Sequence, residues 1–150
     1  MRTVRQLLAS KSAEGGGDGP PQVHAIGPDA AVIDAIRLMA ERHIGAVLVM
    51  QGERLAGILS ERDYARKVVL AGRSSKDTAV REIMTADVVT VGPEDGIDAC
   101  MRIMTERRIR HLPVRDGDVV VGVVSIGDLV KAVIEAQRRE LDQLQRYIAG

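Results

Sequence analysis

Gly57-Ile58-Leu59-Ser60-Glu61-Arg62-Asp63 returns 65 residues later as Gly122-Val123-Val124-Ser125-Ile126-Gly127-Asp128. In both stretches an apolar run ends at a serine, and an aspartate follows three residues on. Working outward, residues 23–70 fall on 88–135 without a gap. Identical pairs include Val23/Val88, Gly27/Gly92, Pro28/Pro93, Met39/Met104, Gly57/Gly122, Ser60/Ser125, Asp63/Asp128 and Val68/Val133, and most other pairs set apolar against apolar. A gapless match of this length marks a duplicated unit.

Each copy predicts the order βαββα, an α/β (α+β) unit. A short strand (about 23–26 and 88–91) ends at Gly-Pro, which breaks regular structure. A helix follows over about 29–43 and 94–108, with Val32, Ala35, Ile36 and Met39, and then Ile97, Cys100, Met101 and Met104, at helical spacing. Two strands and a tight turn come next, Ala46–Met50 with Leu55–Leu59 and Leu112–Arg115 with Val119–Val124, the glycines of the links suiting hairpins. A second helix starts at Ser60 and at Ser125. Val80-Arg81-Glu82-Ile83-Met84 leads into the second copy and is echoed by Val4-Arg5-Gln6-Leu7-Leu8 before the first. The expected division is 1–22 as an N-terminal segment with a Gly-rich flexible loop, 23–72 as the first unit, 73–87 as linker, 88–135 as the second unit, and 136–150 as an extension of the last helix. One copy alone is marginal for folding, so the two pseudo-symmetric units are expected to pack sheet to sheet, forming two clefts.

Composition removes several function classes. The 150 residues include no Trp, no Phe and only Tyr64 and Tyr147, so stacking platforms for single-stranded nucleic acid are missing. A formal net charge of +0 offers no basic footprint for a phosphate backbone. Cys100 is the single cysteine, and His24, His43 and His111 are scattered, so neither a disulfide framework nor a zinc site is expected. Cys100 falls on the apolar face of its helix and reads as a packed small hydrophobe. No apolar run reaches the roughly 20 residues of a bilayer span, and the first residues lack a signal-peptide core. A cytoplasmic protein, with no membrane and no nucleic-acid partner, is the expectation.

The repeated Ser-x-x-Asp has two compatible readings. Serine caps the helix and the acid answers from its third position, where the dipole favours a negative charge. The same geometry gathers a hydroxyl and a carboxylate at a strand end. A carboxylate accepts two hydrogen bonds and suits the vicinal hydroxyls of a ribose, while a helix N-terminus with nearby cations favours phosphate.

Residues 3–135 resemble a tandem pair of cystathionine-β-synthase (CBS) domains, a Bateman module. The resemblance rests on the repeated Gly-x-x-Ser-x-x-Asp, on Ile44-Gly45-Ala46-Val47-Leu48-Val49 and Ile109-Arg110-His111-Leu112-Pro113-Val114, and on the lead-in Ile83-Met84-Thr85. It implies an adenosyl ligand (AMP, ADP, ATP, NAD or, behind these, S-adenosylmethionine) in the clefts between the copies, a homodimer of modules, and regulation of a separate partner protein. It further implies that Ser60 and Asp63 hold the ribose in one cleft, with Val89 and Thr90 from the opposite copy against the base. Ser125 and Asp128 do so in the other cleft, with His24, Ala25 and Ile26. Arg110 and His111 stand where family members contact phosphate, and Arg62 and Lys67 are candidates in the first copy. Gly45-Ala46 occupies the positions of Arg110-His111, and Gly127 that of Arg62, so phosphate recognition is expected to differ between the clefts. No nucleophile–base pair stands out, so no enzyme is expected. The competing reading is an interaction scaffold whose clefts are non-functional.

Overall fold

The computed structural model describes residues 2–14 and 23–149, and the Gly-rich loop expected from the sequence lies largely outside them. The elements run α1 (Val4–Glu14), β1 (Ala25–Ile26), α2 (Val32–Arg42), β2 (Ala46–Gln51), β3 (Arg54–Ser60), α3 (Glu61–Tyr64) continued by a π-helical turn (Ala65–Val69), α4 (Val80–Ile83), α5 (Ile97–Arg107), β4 (His111–Asp116), β5 (Val119–Ser125) and α6 (Ile126–Ala149). The chain divides into two compact units. The first unit holds 23–89 with Asp118–Val120, and the second holds the N-terminal helix with Thr90–Gly117 and the chain from Val121 onward.

In the first unit β1 pairs parallel with β2, and β2 antiparallel with β3. Val32, Ala35 and Met39 of α2 close the core over Val47, Val49 and Leu59, joined by Val68, Val80 and Ile83. The second unit buries the equivalent positions Ile97, Cys100, Met104, Leu112, Val114 and Val124. Helices α2 and α5 stop at the same place in the repeat. His43 and Arg108 take the left-handed conformation, at φ 54° and 55°, and the chain turns off the helix there.

The strand expected at about 88–91 is reduced to one parallel bridge between Val91 and Val114. The cause is a single residue. In the first unit the Leu48 N–H donates to the His24 carbonyl at 3.1 Å and starts the β1–β2 ladder. Pro113 stands at the position of Leu48 and has no N–H to give. The ladder therefore begins at Val91, whose N–H meets the Pro113 carbonyl at 3.0 Å.

The lead-in helices are exchanged. α4, which precedes the second copy in sequence, packs in the first unit, and α1 packs in the second. Equivalent contacts seat them. Val80 and Arg81 donate to the carbonyls of Ala30 and Pro28, as Val4 and Arg5 donate to those of Asp95 and Pro93. The Arg81–Asp29 ion pair is matched by Arg5–Glu94. The far end of α6 is exposed, with Leu141, Leu144 and Ile148 at 58%, 57% and 81% exposure. No helix among the described residues is long and apolar enough to cross a membrane.

Close approach of the lead-in segment explains the glycine three residues before the capping serine in each copy. A Cβ on Gly57 would lie 2.8 Å from the Thr85 carbonyl oxygen and 2.7 Å from the Met84 sulfur, whereas on Gly122 it would meet only the Leu8 side chain, at 2.8 Å. A carbonyl held in a backbone bridge cannot give way, and a leucine terminus can rotate. Gly57→Ala is therefore expected to cost about 1–3 kcal/mol and Gly122→Ala clearly less. Urea unfolding of the two variants against wild type measures the difference, and equal losses would contradict it.

Candidate functional site

The two Ser-x-x-Asp segments fold as strand-to-helix corners. Ser60 is extended at the end of β3, and its Oγ accepts the Asp63 N–H at 3.1 Å. Asp63 Oδ2 in return accepts the Ser60 N–H and hydroxyl, each at 3.0 Å. The second copy repeats the exchange, with Asp128 N–H to Ser125 Oγ at 3.2 Å and Ser125 N–H to Asp128 Oδ2 at 2.9 Å. The capping reading is thus realised in both copies. The next amide is also taken in each, Glu61 by the Gly45 carbonyl at 3.0 Å and Ile126 by the Arg110 carbonyl at 2.8 Å. That second bond brings the backbone of Arg110 to the start of α6, with its side chain exposed, and leaves His111 half-buried as the first residue of β4.

Each acid carries a lysine, and the two lysines come from different places. Lys67, four residues beyond Asp63, sets its Nζ 3.3 Å from Asp63 Oδ1 and donates to the Ile83 carbonyl at 2.9 Å. In the second copy Ala132 occupies the position of Lys67, and it is buried. Lys11 of α1 supplies the cation instead, 2.8 Å from Asp128 Oδ2 and 2.9 Å from the Val123 carbonyl. Lys11 had no place among the residues singled out by sequence. The one signal for it was the loss of lysine at position 132, which left Asp128 in want of a partner.

The other expected residues divide between the units. Ser60, Arg62, Asp63, Lys67, His24, Ala25, Ile26 and Val89 fall in the first, and Ser125, Asp128, Arg110, His111 and Thr90 in the second. Arg62 is exposed on the first turn of α3. His24 is half-buried, and desolvation, with the charge of Arg42, pushes its pKa down. Burial and the neighbouring Asp95 push the Cys100 thiol up, away from a reactive thiolate. No cluster of three metal-ligating side chains exists among the described residues.

A family model for the CBS domain matches residues 21–70 and again 80–135. The chain is 46% identical over 127 residues to CBS domain-containing protein CBSX3, mitochondrial, of Arabidopsis thaliana, covering 81% of this chain and 62% of that protein. It therefore spans less than two thirds of the plant relative. It is 32% identical over 108 residues to CBS domain-containing protein YhcV of Bacillus subtilis, covering 72% of this chain and 76% of that one. Among solved structures it superposes with TM-score 0.83 and 53% identity on a CBS-domain protein of Burkholderia ambifaria MC40-6 named for signal transduction, covering 90% of this chain and 96% of that one. It shares the fold of the CBS domain protein PAE2072 of Pyrobaculum aerophilum, solved in complex with AMP, at TM-score 0.69 and 23% identity, covering 84% and 88%. The chain belongs to the CBS-domain family and carries two CBS domains in tandem.

Asp128 gives the corner a pH signature. Burial alone would raise its pKa, but the bond from Lys11 and the Ser125 amide outweigh it and hold the carboxyl below the ordinary aspartate range. A lowered folded-state pKa contributes stability above the unfolded value, and that stability disappears as pH falls through the folded one. Asp128→Asn should cost about 1–2 kcal/mol at neutral pH, the half-exposed lysine limiting the effect. The gap to wild type should close as the solution is acidified below the folded-state pKa. Urea unfolding across that pH range checks it, and a pH-independent gap would contradict the ion pair.

Proposed function

We propose that this tandem CBS pair is a regulatory module that binds an adenosyl nucleotide and passes its occupancy to a separate partner protein. The observation that carries the reading is the duplicated carboxylate at a strand-to-helix corner. Asp63 and Asp128 each commit Oδ2 to the serine amide, which fixes the carboxylate at the corner. A carboxylate held in this way suits a vicinal diol, the group every ribose offers. The AMP complex of the Pyrobaculum protein gives a precedent on the same fold.

In this reading Ser60 and Asp63 hold one ribose, with Val89 and Thr90 against the base. Ser125 and Asp128 hold the other, with His24, Ala25 and Ile26. The base contacts have a chemical rationale at Val89. Its carbonyl stands at the position of His24, whose carbonyl is occupied by the Leu48 amide, whereas Pro113 cannot make that bond. Val89 thus offers an acceptor to an exocyclic amino group, and His24 does not offer the same one. Arg110 and His111 serve phosphate in one site, Arg62 and Lys67 in the other. Gly45-Ala46 and Gly127 at the matching positions make the two sites unequal in phosphate recognition. The ligand is AMP, ADP, ATP or NAD, with S-adenosylmethionine behind these. The module works as a cytoplasmic homodimer and catalyses no reaction.

Thermal unfolding with each of the five compounds tests the reading. At about 100 times its dissociation constant, the ligand should add about 2.7 kcal/mol and raise Tm clearly. Asp63→Ala and Asp128→Ala should each abolish one site and leave a folded protein. If ligand-free protein shows no shift with any of the compounds, the serine–aspartate pairs are caps alone and the scaffold reading stands.

A further inference from the structure

Helix α6 carries two apolar faces. It packs against α5, with Leu129 and Ala132 buried and Ala136 half-buried beside them. Val130 and Ile134, on the same turns, stay 43% and 45% exposed. They open a second stripe that continues as Gln137, Leu141, Leu144 and Ile148. At about 100° per residue, this stripe lies roughly 130° around the helix from the buried one. It is therefore not an overrun of the packing that seats α6. From Gln137 to Ala149 every residue is exposed. A helical segment of that length draws its stability from packing an apolar face, and no described residue covers this one.

The stripe advances in alternating steps, from 130 to 134, 137, 141, 144 and 148. That is the a/d spacing of a coiled coil, with Ile134, Leu141 and Ile148 at a and Val130, Gln137 and Leu144 at d. It is narrower than the face a helix lays on a core or on a membrane.

We infer that α6 is an interface between two copies of this chain, its outward stripe pairing with the same stripe of a second copy as a parallel two-stranded coiled coil. The inference rests on the homodimer of the reading above and not on its ligand. Three features select this occupant. The first is Gln137, the polar residue within the stripe. A lipid surface would leave its amide without a partner, whereas in a parallel pair the two Gln137 amides face each other, donor to acceptor. The second is charge. An antiparallel pair overlapping over the same span sets Arg138 against Arg138 and Glu140 against Glu140. A parallel pair sets Glu140 beside Gln145 and Arg138 beside Val133, with no like charges opposed. The third is area. The exposed apolar surface of the stripe, doubled across the pair, reaches about 1,000 Å², the size of a specific interface. Asp128 lies in the first turn of the same helix. Parallel pairing therefore brings the second corner of both copies to one end of the dimer.

Sedimentation equilibrium of the full chain tests this, with substitutions confined to exposed positions of α6. Wild type should be a dimer. Leu141→Glu with Leu144→Glu should weaken the dimer about a hundredfold and leave a monomer that still unfolds cooperatively on heating. Gln137→Leu should tighten the dimer about tenfold, a gain that loss of folding cannot produce. Arg139→Ala, on the opposite side of the helix, should leave it unchanged. Ile148→Cys should cross-link two chains under mild oxidation. Parallel pairing puts the two thiols together, and the antiparallel pair would hold them about 27 Å apart along the axis. Wild type, whose Cys100 is buried, should not cross-link. A dimer as tight in the double glutamate variant as in wild type overturns the inference and leaves the homodimer to another surface. Absence of the Ile148→Cys cross-link in a dimeric protein overturns the parallel pairing. A wild type that stays monomeric at every concentration removes the homodimer itself, and this interface with it. If that monomer sediments with phosphatidylglycerol vesicles, the stripe belongs to a lipid surface instead.

Discussion

An aspartate turned back onto the amide of the serine three residues before it fixes the angle at which each hairpin feeds its following helix. Oδ2 of Asp63 and of Asp128 is spent on that amide, and the serine hydroxyl answers the aspartate N–H. The next amide is tied to the neighbouring strand end, at Gly45 and at Arg110. These bonds define what is left for chemistry. Two of the amides that make a helix N-terminus attractive to an anion are already engaged in each copy. A phosphate at either corner must therefore rely mainly on side-chain cations, and it is in side-chain cations that the copies differ. Arg110 stands against Gly45, Arg62 against Gly127 and Lys67 against Ala132.

The exchange of lead-in helices follows from what each hairpin strand lacks. Gly57 and Gly122 leave a groove in the middle of their strands, and the groove is filled by Met84 in one unit and Leu8 in the other. Val80 and Ile83, like Val4 and Leu7, complete the buried surface next to it. Each helix is seated by the same pair of backbone bonds to the segment between Gly-Pro and the long helix. Side-chain oxygens assist in the first turn, the Glu82 carboxylate accepting the Ala79 N–H and the Gln6 amide oxygen the Thr3 N–H. The glycine of the Gly-x-x-Ser-x-x-Asp motif is thus a packing requirement, and the serine and aspartate a directional one.

Much of this was legible in the sequence because the duplication is an internal control. Strand and helix positions could be read twice, and both β-hairpins, α2 and α5 lie where periodicity and turn residues put them. The Ser-x-x-Asp corner was legible because its bonds are local, spanning three residues. What escaped were non-local or single-residue effects. Pro113 belongs to a repeated motif, but its cost to the ladder appears only once the register pairs it with the position of His24. The π-helical turn at Ala65–Val69 carries no distinctive composition. Lys11 escaped because the bond to Asp128 joins residues at opposite ends of the chain, and no periodicity encodes which lysine will bridge such a distance.

The difference between the two corners traces to helix length. After Ile83, α4 stops, and the extended Met84-Thr85 pairs Thr85 with Ile58 through two backbone bonds. After Leu8, α1 continues through Ala9, Ser10 and Lys11 to Glu14. Alanine, lysine and glutamate favour helix, whereas the β-branched Thr85 resists it. Once position 9 is helical, its amide is bonded within the helix and cannot serve Val123 as Thr85 serves Ile58. The strand-end carbonyl then needs another donor, and the helix that removed the backbone amide carries Lys11, two residues further on, whose ammonium replaces it. The same ammonium reaches Asp128. A difference in local helix propensity, outside the repeat itself, is thereby converted into a difference in which lysine meets the acid at the corner where the repeat is best preserved.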